Sequence, residues 1–441
     1  MSNNEVKKIT PRTLQGFMEL LPQEQILFNR VQDTIRQSYE AFGFLPLDTP
    51  ILEYADILLA KAGGETEKQI YRFNKGDTDL CMRFDLTVPL AKFVAKNANE
   101  LVFPFRRYQI GKVYRGERPQ KGRFREFYQC DVDIVGDGKL SLASDAEMAS
   151  VIATTFSKLG FSNFTICVSN RKILTGYLEF LKLSDRRSEI SIVIDKLKKI
   201  GREKVEEELS KLGLAKKAVS DILKLIAIEG SAEEQLVKLS KIKGGEMMQE
   251  GIAELAEVIR LAKLSGVSSA HLILDLTIVR GLDYYTGTVF ETFLTGHENI
   301  GSVCSGGRYD DLAGYYTDKK LPGVGVSIGL TRLFDKLRDE FLEVGVSIAD
   351  VLVVSMDDNL DACLTVANKF RESGLKVEVY TESAKPKNKF KYANRQGVKF
   401  VAVIGESERE KGTVTLKNMA NGEQSEGIAV EKAIEEMDKI N

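Results

Sequence analysis

Tryptophan is absent from the 441 residues, and histidine occurs only twice, at His271 and His297. With 25 residues between them and no HExxH, histidine-ligated metal and histidine acid–base chemistry lose their usual sequence support, and no protein-held metal is expected. Cysteine is scarce too. Cys81, Cys130, Cys167, Cys304 and Cys363 are odd in number, far apart and never in a CxxC pair. This argues against a disulfide framework or a thiolate zinc site and predicts buried thiols. No apolar run approaches the roughly 18 residues of a spanning helix, and the opening MSNNEVKKIT lacks the apolar core of a secretory leader. The expectation is a cytoplasmic protein with no membrane partner. Charge bias is missing as well, since 62 Lys/Arg against 64 Asp/Glu leave −2. A nucleic-acid partner therefore has to be argued from local patches.

Two such patches are present. RRYQIGKVYRGERPQKGRFRE (106–126) holds eight Lys/Arg against two Glu, and KPKNKFKYANRQGVK (385–399) holds six Lys/Arg and no acid, so each is +6. Either could be no more than a solvated basic face.

A chain of 441 residues exceeds one typical core, so two or three domains are expected. Leu27, Val31, Ile35, Tyr39 and Phe42 recur at helical spacing and lead into the extended FLPLDTPILE. Residues 105–115 and 123–135 are rich in aromatic and β-branched residues and flank GERPQKG, which predicts a hairpin with a long basic loop. A regular second strand would turn Phe127, Gln129, Asp131 and Asp133 to one face and Phe124, Tyr128, Val132 and Ile134 to the other. No proline occurs between Pro119 and Pro322, and within that span residues 183–262 are rich in Lys, Glu and Leu with helical periodicity. That predicts a helical insertion. Strand-like texture resumes near Ala270 (HLILDL, TVFETFL) and runs through CSGGRYDDLAG to LPGVGVSIGLTRLFDKL. From about 348, strands and helices alternate as in a small separate α/β domain.

Four ligand-like stretches fall in the interrupted first domain: MRFDLTVPL (82–90), the hairpin, VRGLDYYTG (279–287) and GVSIGLTRL (325–333). They offer three candidate phosphate-binding arginines (Arg115, Arg280, Arg332) and two candidate carboxylates for a polar ligand (Asp85, Asp133). GxxxxGK[ST] is missing, so a nucleotide would be held by arginines on a sheet rather than by a phosphate loop.

These stretches resemble the histidyl-tRNA synthetase family of the class II aminoacyl-tRNA synthetases, over nearly the whole chain. The helix and strand ending at Pro50 resemble motif 1, YRGERPQKGRFREF motif 2 and GVGVSIGLTRL motif 3. VRGLDYY and SGGRYDDL resemble the family's two histidine signatures. The resemblance implies an α+β fold with an antiparallel sheet core flanked by helices. It also implies a catalytic domain over 1–182 and 263–345, a helical insertion over 183–262 and a C-terminal α/β anticodon-binding domain over 346–441. The implied activity is ATP-dependent activation of L-histidine and its transfer to tRNA(His), in a homodimer, with Mg²⁺ sharing the phosphate charge.

The implied residue roles follow the motifs. Arg280 and Arg115 would act on the α-phosphate, Arg332 would reach the γ-phosphate, and Glu117 and Phe127 would hold adenine. Asp85, assisted by Thr87, would pair with the α-ammonium, and Gln129 would help hold the amino acid. Asp133 would accept from the imidazole, with Tyr285 against the ring, Tyr284 as nearby wall and Tyr309 closing the pocket. A regular strand would turn Tyr284 and Tyr285 opposite ways, which is a tension in this assignment. Arg118 and Gln120 would meet the tRNA acceptor end. The alternatives are a catalytically silent regulatory subunit of ATP phosphoribosyltransferase and a pure RNA-binding module.

Overall fold

In a computed structural model, residues 8–60, 65–118, 122–278, 284–341 and 347–439 are described. The chain divides into two compact units. One comprises residues up to Glu19 together with Arg30–Leu337; the other joins Leu20–Asn29 to Arg338–Asn441.

The chain opens with α1 (Pro22–Ala41), whose Leu27, Val31, Ile35 and Tyr39 form the buried stripe expected from their spacing, and continues into β1 (Leu45–Pro46). A small antiparallel sheet follows, built from β2 (Leu52–Tyr54), β3 (Arg72–Lys75) and β4 (Thr78–Met82) in the order β2-β4-β3. Between β2 and β3 lie α2 (Ala55–Leu59) and α3 (Glu65–Gln69), and α4 (Thr87–Asn97) comes after β4. The predicted hairpin is β5 (Phe105–Tyr114) and β6 (Glu126–Val135), paired along all ten residues of each. Next come α5 (Leu142–Lys158), β7 (Phe164–Asn170) and α6 (Arg171–Phe180).

The Lys/Glu/Leu-rich span is helical as predicted: α7 (Arg187–Ile194), α8 (Leu197–Ile200), α9 (Arg202–Lys211), α10 (Lys216–Ile226), α11 (Ala232–Ser240) and α12 (Glu246–Leu264). Helices α6 and α12 cross at two glycines. A Cβ on Gly176 would stand 2.3 Å from the Met248 nitrogen, and one on Gly251 would stand 2.8 Å from Lys172 Cβ, so the backbones approach as only glycine permits. Strands then return as β8 (Leu272–Leu274), β9 (Thr288–Leu294), β10 (Cys304–Tyr309) and β11 (Gly323–Gly329), followed by α13 (Leu330–Phe341), in which the first unit ends at Leu337.

Eight strands form the main sheet in the order β1-β5-β6-β11-β10-β9-β7-β8; only the β1–β5 and β7–β8 pairs are parallel. Its lower face is sealed by buried side chains such as Val132, Ile134, Val326 and Ile328. There the Tyr39 hydroxyl donates to the Cys130 carbonyl at 2.9 Å, tying α1 beneath the sheet. All five cysteines are free thiols and buried, as predicted.

The second unit contains β12 (Val351–Ser355), α14 (Leu360–Glu372), β13 (Val377–Tyr380), α15 (Pro386–Gln396), β14 (Phe400–Ile404), α16 (Glu406–Lys411), β15 (Thr413–Asn418), β16 (Gln424–Ala429) and α17 (Val430–Asp438). Its sheet order is β13-β12-β14-β15-β16, with β12, β13 and β14 parallel and the rest antiparallel. Pro386 starts α15, where a missing N–H costs nothing, and Gly397 ends it in the left-handed region at φ 73°.

Candidate active site

The upper face of the main sheet is polar, and strand register arranges it in rows. One row runs Arg107, Asp133, Gly325, Gly307; the next runs Gln109, Asp131, Ser327, Ser305; a third pairs Gly111, Gln129 and Gly329. The alternation read from the sequence therefore holds for Phe127, Gln129, Asp131 and Asp133. It fails at Phe124. That residue precedes β6, which begins at Glu126, and it lines the same cavity as Phe127 instead of facing the opposite side.

This cavity has a volume of about 400 Å³ and brings together Arg115, Glu117, Phe127, Gln129 and Arg332 of the predicted set, with Ser327 on its floor. Arg115 lies over the Phe127 ring at 5.1 Å and donates from Nε to the Phe84 carbonyl at 3.1 Å. Arg332 donates to the Ser302 carbonyl at 3.3 Å, while its buried Nε has no hydrogen-bond partner among the described residues. Burial, and then Arg123 beside it, hold Arg332 below the usual guanidinium range. Two crowded cations in a partly buried wall are the setting for an anion of high charge. Glu117 stays at the rim, paired with Arg123 at 3.2 Å. Arg118 is exposed and does not line the cavity. Gln120 and Arg280 lie outside the described residues.

Beyond Gln129 the floor becomes a carboxylate cluster. Asp85 sits at the start of α4, where its Oδ1 accepts from the Val88 N–H at 3.1 Å while its Oδ2 is buried with no partner among the described residues. Burial pushes its carboxyl up to about 6, against the pull of the Val88 N–H and Arg115. Asp133 is held between Arg107, at 2.7 Å from its Oδ2, and the Tyr309 hydroxyl, which donates to Oδ1 at 3.0 Å. The Arg107 contact is a close ionic pairing without an aligned hydrogen bond, since Asp133 Oδ2 lacks a well-directed donor among the described residues. Burial still outweighs both partners and raises Asp133 above the ordinary carboxylate range. Asp131 is raised to about 7 by burial, with Arg107 opposing and Asp133 reinforcing.

Glycine makes room for this cluster. A Cβ on Gly325 would stand 2.0 Å from Asp133 Oδ1, and one on Gly323 would stand 2.3 Å from the Tyr309 ring. Three tyrosines close the far side: Tyr284 and Tyr285 meet edge to face with centroids 5.0 Å apart, and Tyr284 and Tyr309 do the same at 6.0 Å. The tension over adjacent tyrosines disappears, because both precede β9, which begins at Thr288, and are not bound by strand alternation. Both feel the Asp85 and Asp131 charges, and Thr87 lies beside the Tyr284 hydroxyl.

Sequence reasoning missed Arg107, whose side chain is fully buried, and counted it in a basic patch. Half of that patch's eight cations are paired internally. Arg106 pairs with Glu147, Arg107 with Asp133, Lys112 with Glu126 and Arg123 with Glu117. The available signal was its adjacency to Arg106 in a strand, which turns the two side chains to opposite faces. In SGGRYDDL the arginine is structural. Arg308 forks onto Asp145, with Nε 3.1 Å from Oδ1 and Nη2 2.5 Å from Oδ2.

Residues 16–333 match the family model described as histidyl-tRNA synthetase, and residues 349–440 match the model described as anticodon binding domain. A histidine–tRNA ligase of Clostridium tetani is 51% identical over 430 residues, covering 97% of this chain and 98% of that protein. One of Clostridium acetobutylicum is 49% identical over 421 residues, covering 95% and 97%. Among solved structures, the histidyl-tRNA synthetase of Nostoc sp. PCC 7120 superposes with a TM-score of 0.90 at 40% identity, covering 98% of this chain and all of that one.

Proposed function

The chain belongs to the histidyl-tRNA synthetase family, and from that premise we propose how its residues carry out the activity: joining L-histidine to ATP as histidyl-adenylate and passing the acyl group to tRNA(His). The observation that carries the reading is a floor with two chemistries. Two buried acceptors without partners among the described residues, Asp85 Oδ2 and Gln129 Oε1, lie in one part of it, and crowded arginines lie in another. An amino acid brings an ammonium to the first, and a nucleotide brings phosphates to the second.

In the activation step the histidine carboxylate attacks the α-phosphorus and pyrophosphate leaves. Arg115 would grip the α-phosphate, and Arg332 would bind toward the γ-phosphate. Phe127, with Arg115 already over its ring, would stack on adenine beside Glu117. Arg280 takes the role the family resemblance implies, a cation at the junction of carboxylate and α-phosphate, which favours charge developing in the transition state. Asp85, Gln129 and Thr87 would hold the α-ammonium. Asp133, fixed by Arg107 and Tyr309, would accept from an imidazole N–H against Tyr285, with Tyr284 as the neighbouring wall. Such a pocket rejects apolar amino acids because they leave its acceptors unsatisfied. Among the described residues no three His, Cys, Asp or Glu side chains cluster as metal ligands. Mg²⁺ would be brought by the nucleotide and would supply charge neutralisation at its phosphates.

For the tRNA, Arg118 and Gln120 remain the proposed acceptor-end contacts. In the second unit, a cleft between the end of β13 and α15 is lined by Tyr380, Asn388, Lys391, Tyr392, Arg395 and Gln396, a mixture of rings, amides and cations suited to unstacked bases and phosphates. A homodimer is proposed on the small three-stranded sheet. Its Leu52, Tyr54 and Phe73 are exposed on the face that also carries Leu80 and Met82, an apolar surface that a second copy would cover. No helix of the described residues is long and apolar enough to cross a membrane, and a cytoplasmic location is proposed.

The regulatory-subunit alternative loses its support, because identity of about half to histidine–tRNA ligases runs over nearly the whole chain. Pyrophosphate exchange tests the reading directly. Histidine, and no other standard amino acid, should support exchange of labelled pyrophosphate into ATP; exchange absent with histidine would overturn it. Light scattering at micromolar concentration should give the mass of two chains, and a monomeric mass with full activity would remove the dimer.

A further inference from the structure

The floor contains a row of polar groups, Gln129, Ser327 and Asp131, that the activity as described does not use in full. Gln129 donates from Nε2 to Ser327 Oγ at 2.9 Å. Ser327 stands directly opposite Asp131 across β6 and β11, so its hydroxyl lies beside that carboxylate and works against its raised protonation. A serine hydroxyl has one proton. If Asp131 receives it, Ser327 Oγ can only accept from Gln129, and the carboxamide must turn its NH₂ into the floor. That leaves Gln129 Oε1 buried and without a partner among the described residues, as is Asp85 Oδ2.

We propose that Asp131 and Ser327 are positioning residues for the amino acid's α-ammonium: together they lock the Gln129 side chain with Oε1, not NH₂, toward the ligand. The proposal rests on the assignment of Gln129 to the α-ammonium made above. Without the lock, the amide could rotate and present N–H groups to a cation, replacing an attractive contact with a repulsive one.

The lock depends on the charge state of Asp131. As a carboxylate, Asp131 only accepts, and the chain runs in one direction from Gln129 through Ser327 to Asp131. As a neutral acid it can donate to Ser327 Oγ, which frees the serine proton to turn toward Gln129 and lets the amide flip. The groups that face Asp131 are Arg107 from β5, Asp133 on its own strand and Asp85 from the start of α4. Tyr284 and Tyr285 face it from ahead of β9, Cys304 from β10, and Tyr39 and Cys130 from beneath. Arg107 is the sole cation in this set among the described residues. Its pairing with Asp133 leaves Asp131 poised in the neutral range, so the lock should loosen as pH falls from 8 to 6.

The test uses full-length Ser327→Ala and Asp131→Asn in histidine-dependent pyrophosphate exchange, with β-imidazolelactate as inhibitor. That analogue keeps the ring and carboxylate but has a hydroxyl, which either end of an amide can satisfy, in place of the ammonium. Ser327→Ala should raise KM for histidine about 10-fold with kcat within about 2-fold, while Ki for β-imidazolelactate stays within about 2-fold of wild type. The ratio of KM for histidine to Ki for the analogue cancels titration of the shared ring. In wild type it should rise as pH falls from 8 to 6, and in Asp131→Asn and Ser327→Ala it should be flat. An equal change for both ligands, or a flat wild-type ratio, overturns the lock while wild-type exchange with histidine stands. Wild-type protein that shows no such exchange overturns the assignment of the site and the lock with it.

Discussion

Replacing Asp131 by asparagine should make the ligand-free protein more stable, and the gain should grow with pH. Asparagine has the same shape and can still accept from Ser327, so the change removes little but ionisation. Asp131 is pushed up to about 7 in the folded state from an ordinary value of 3.8. Because the folded pKa is raised, the folded state binds more protons than the unfolded chain between these two values, and stability falls as pH rises through that window. The loss is complete above about pH 7. At about 1.4 kcal/mol per unit, a separation of roughly three units costs on the order of 4 kcal/mol at pH 8, but less than half of that at pH 5. The assay is a pair of thermal melts at pH 5, 6.5 and 8, following the transition of the unit that contains the main sheet. Asp131→Asn should melt several degrees above wild type at pH 8, at about 2 °C per kcal/mol, with most of the gap gone at pH 5. Saturating histidine should narrow the gap at pH 8, since a bound ammonium favours the ionised carboxylate. A melting difference that is constant across pH, or a less stable variant at pH 8, would refute the reasoning.

Arg107→Met should cost about 3–5 kcal/mol in denaturant unfolding, because it strands Asp133 as an uncompensated buried carboxylate; adding Asp133→Asn should restore most of that stability without restoring KM for histidine. Gly325→Ala puts a methyl group where Asp133 Oδ1 lies, 2.0 Å away, and should abolish histidine-dependent pyrophosphate exchange; wild-type KM in a folded Gly325→Ala protein would contradict the packing described. Lys391→Ala with Arg395→Ala should leave pyrophosphate exchange intact but weaken tRNA charging, and should reduce the salt dependence of tRNA binding by roughly one slope unit per lost phosphate contact. An unchanged salt slope would remove the α15 cleft from the tRNA interface.

The periodic parts of the molecule were legible in the sequence. Strand alternation has a period of two, so Phe127, Gln129, Asp131 and Asp133 could be put on one face before any partner strand was known, and the 183–262 span declared itself helical by composition and spacing. What alternation cannot supply is register. Arg107 belongs to the site because β5 lies beside β6 with residue 107 opposite 133, and a sum of formal charges over 106–126 hides that. Ser327 was invisible for the same reason, since its partners are defined across β11 and its own segment reads as a run of glycines and aliphatics. Phe124 and the Tyr284–Tyr285 pair show the opposite error. They lie just outside the strands, where the period no longer applies, and so could not be placed by it.

The burial of every cysteine has a practical side. The chain's five thiols are free and shielded, and burial pushes Cys363 up to about 11 and Cys167 up to about 12. Thiolate, the form that attacks maleimides, is therefore suppressed by both access and protonation. A single cysteine introduced on the outside of either unit could be given a dye or spin label in the otherwise native sequence, with no background to engineer away. The same shielding makes the native thiols a clock: the rate at which unmodified protein consumes a thiol reagent measures how often its interiors open to solvent.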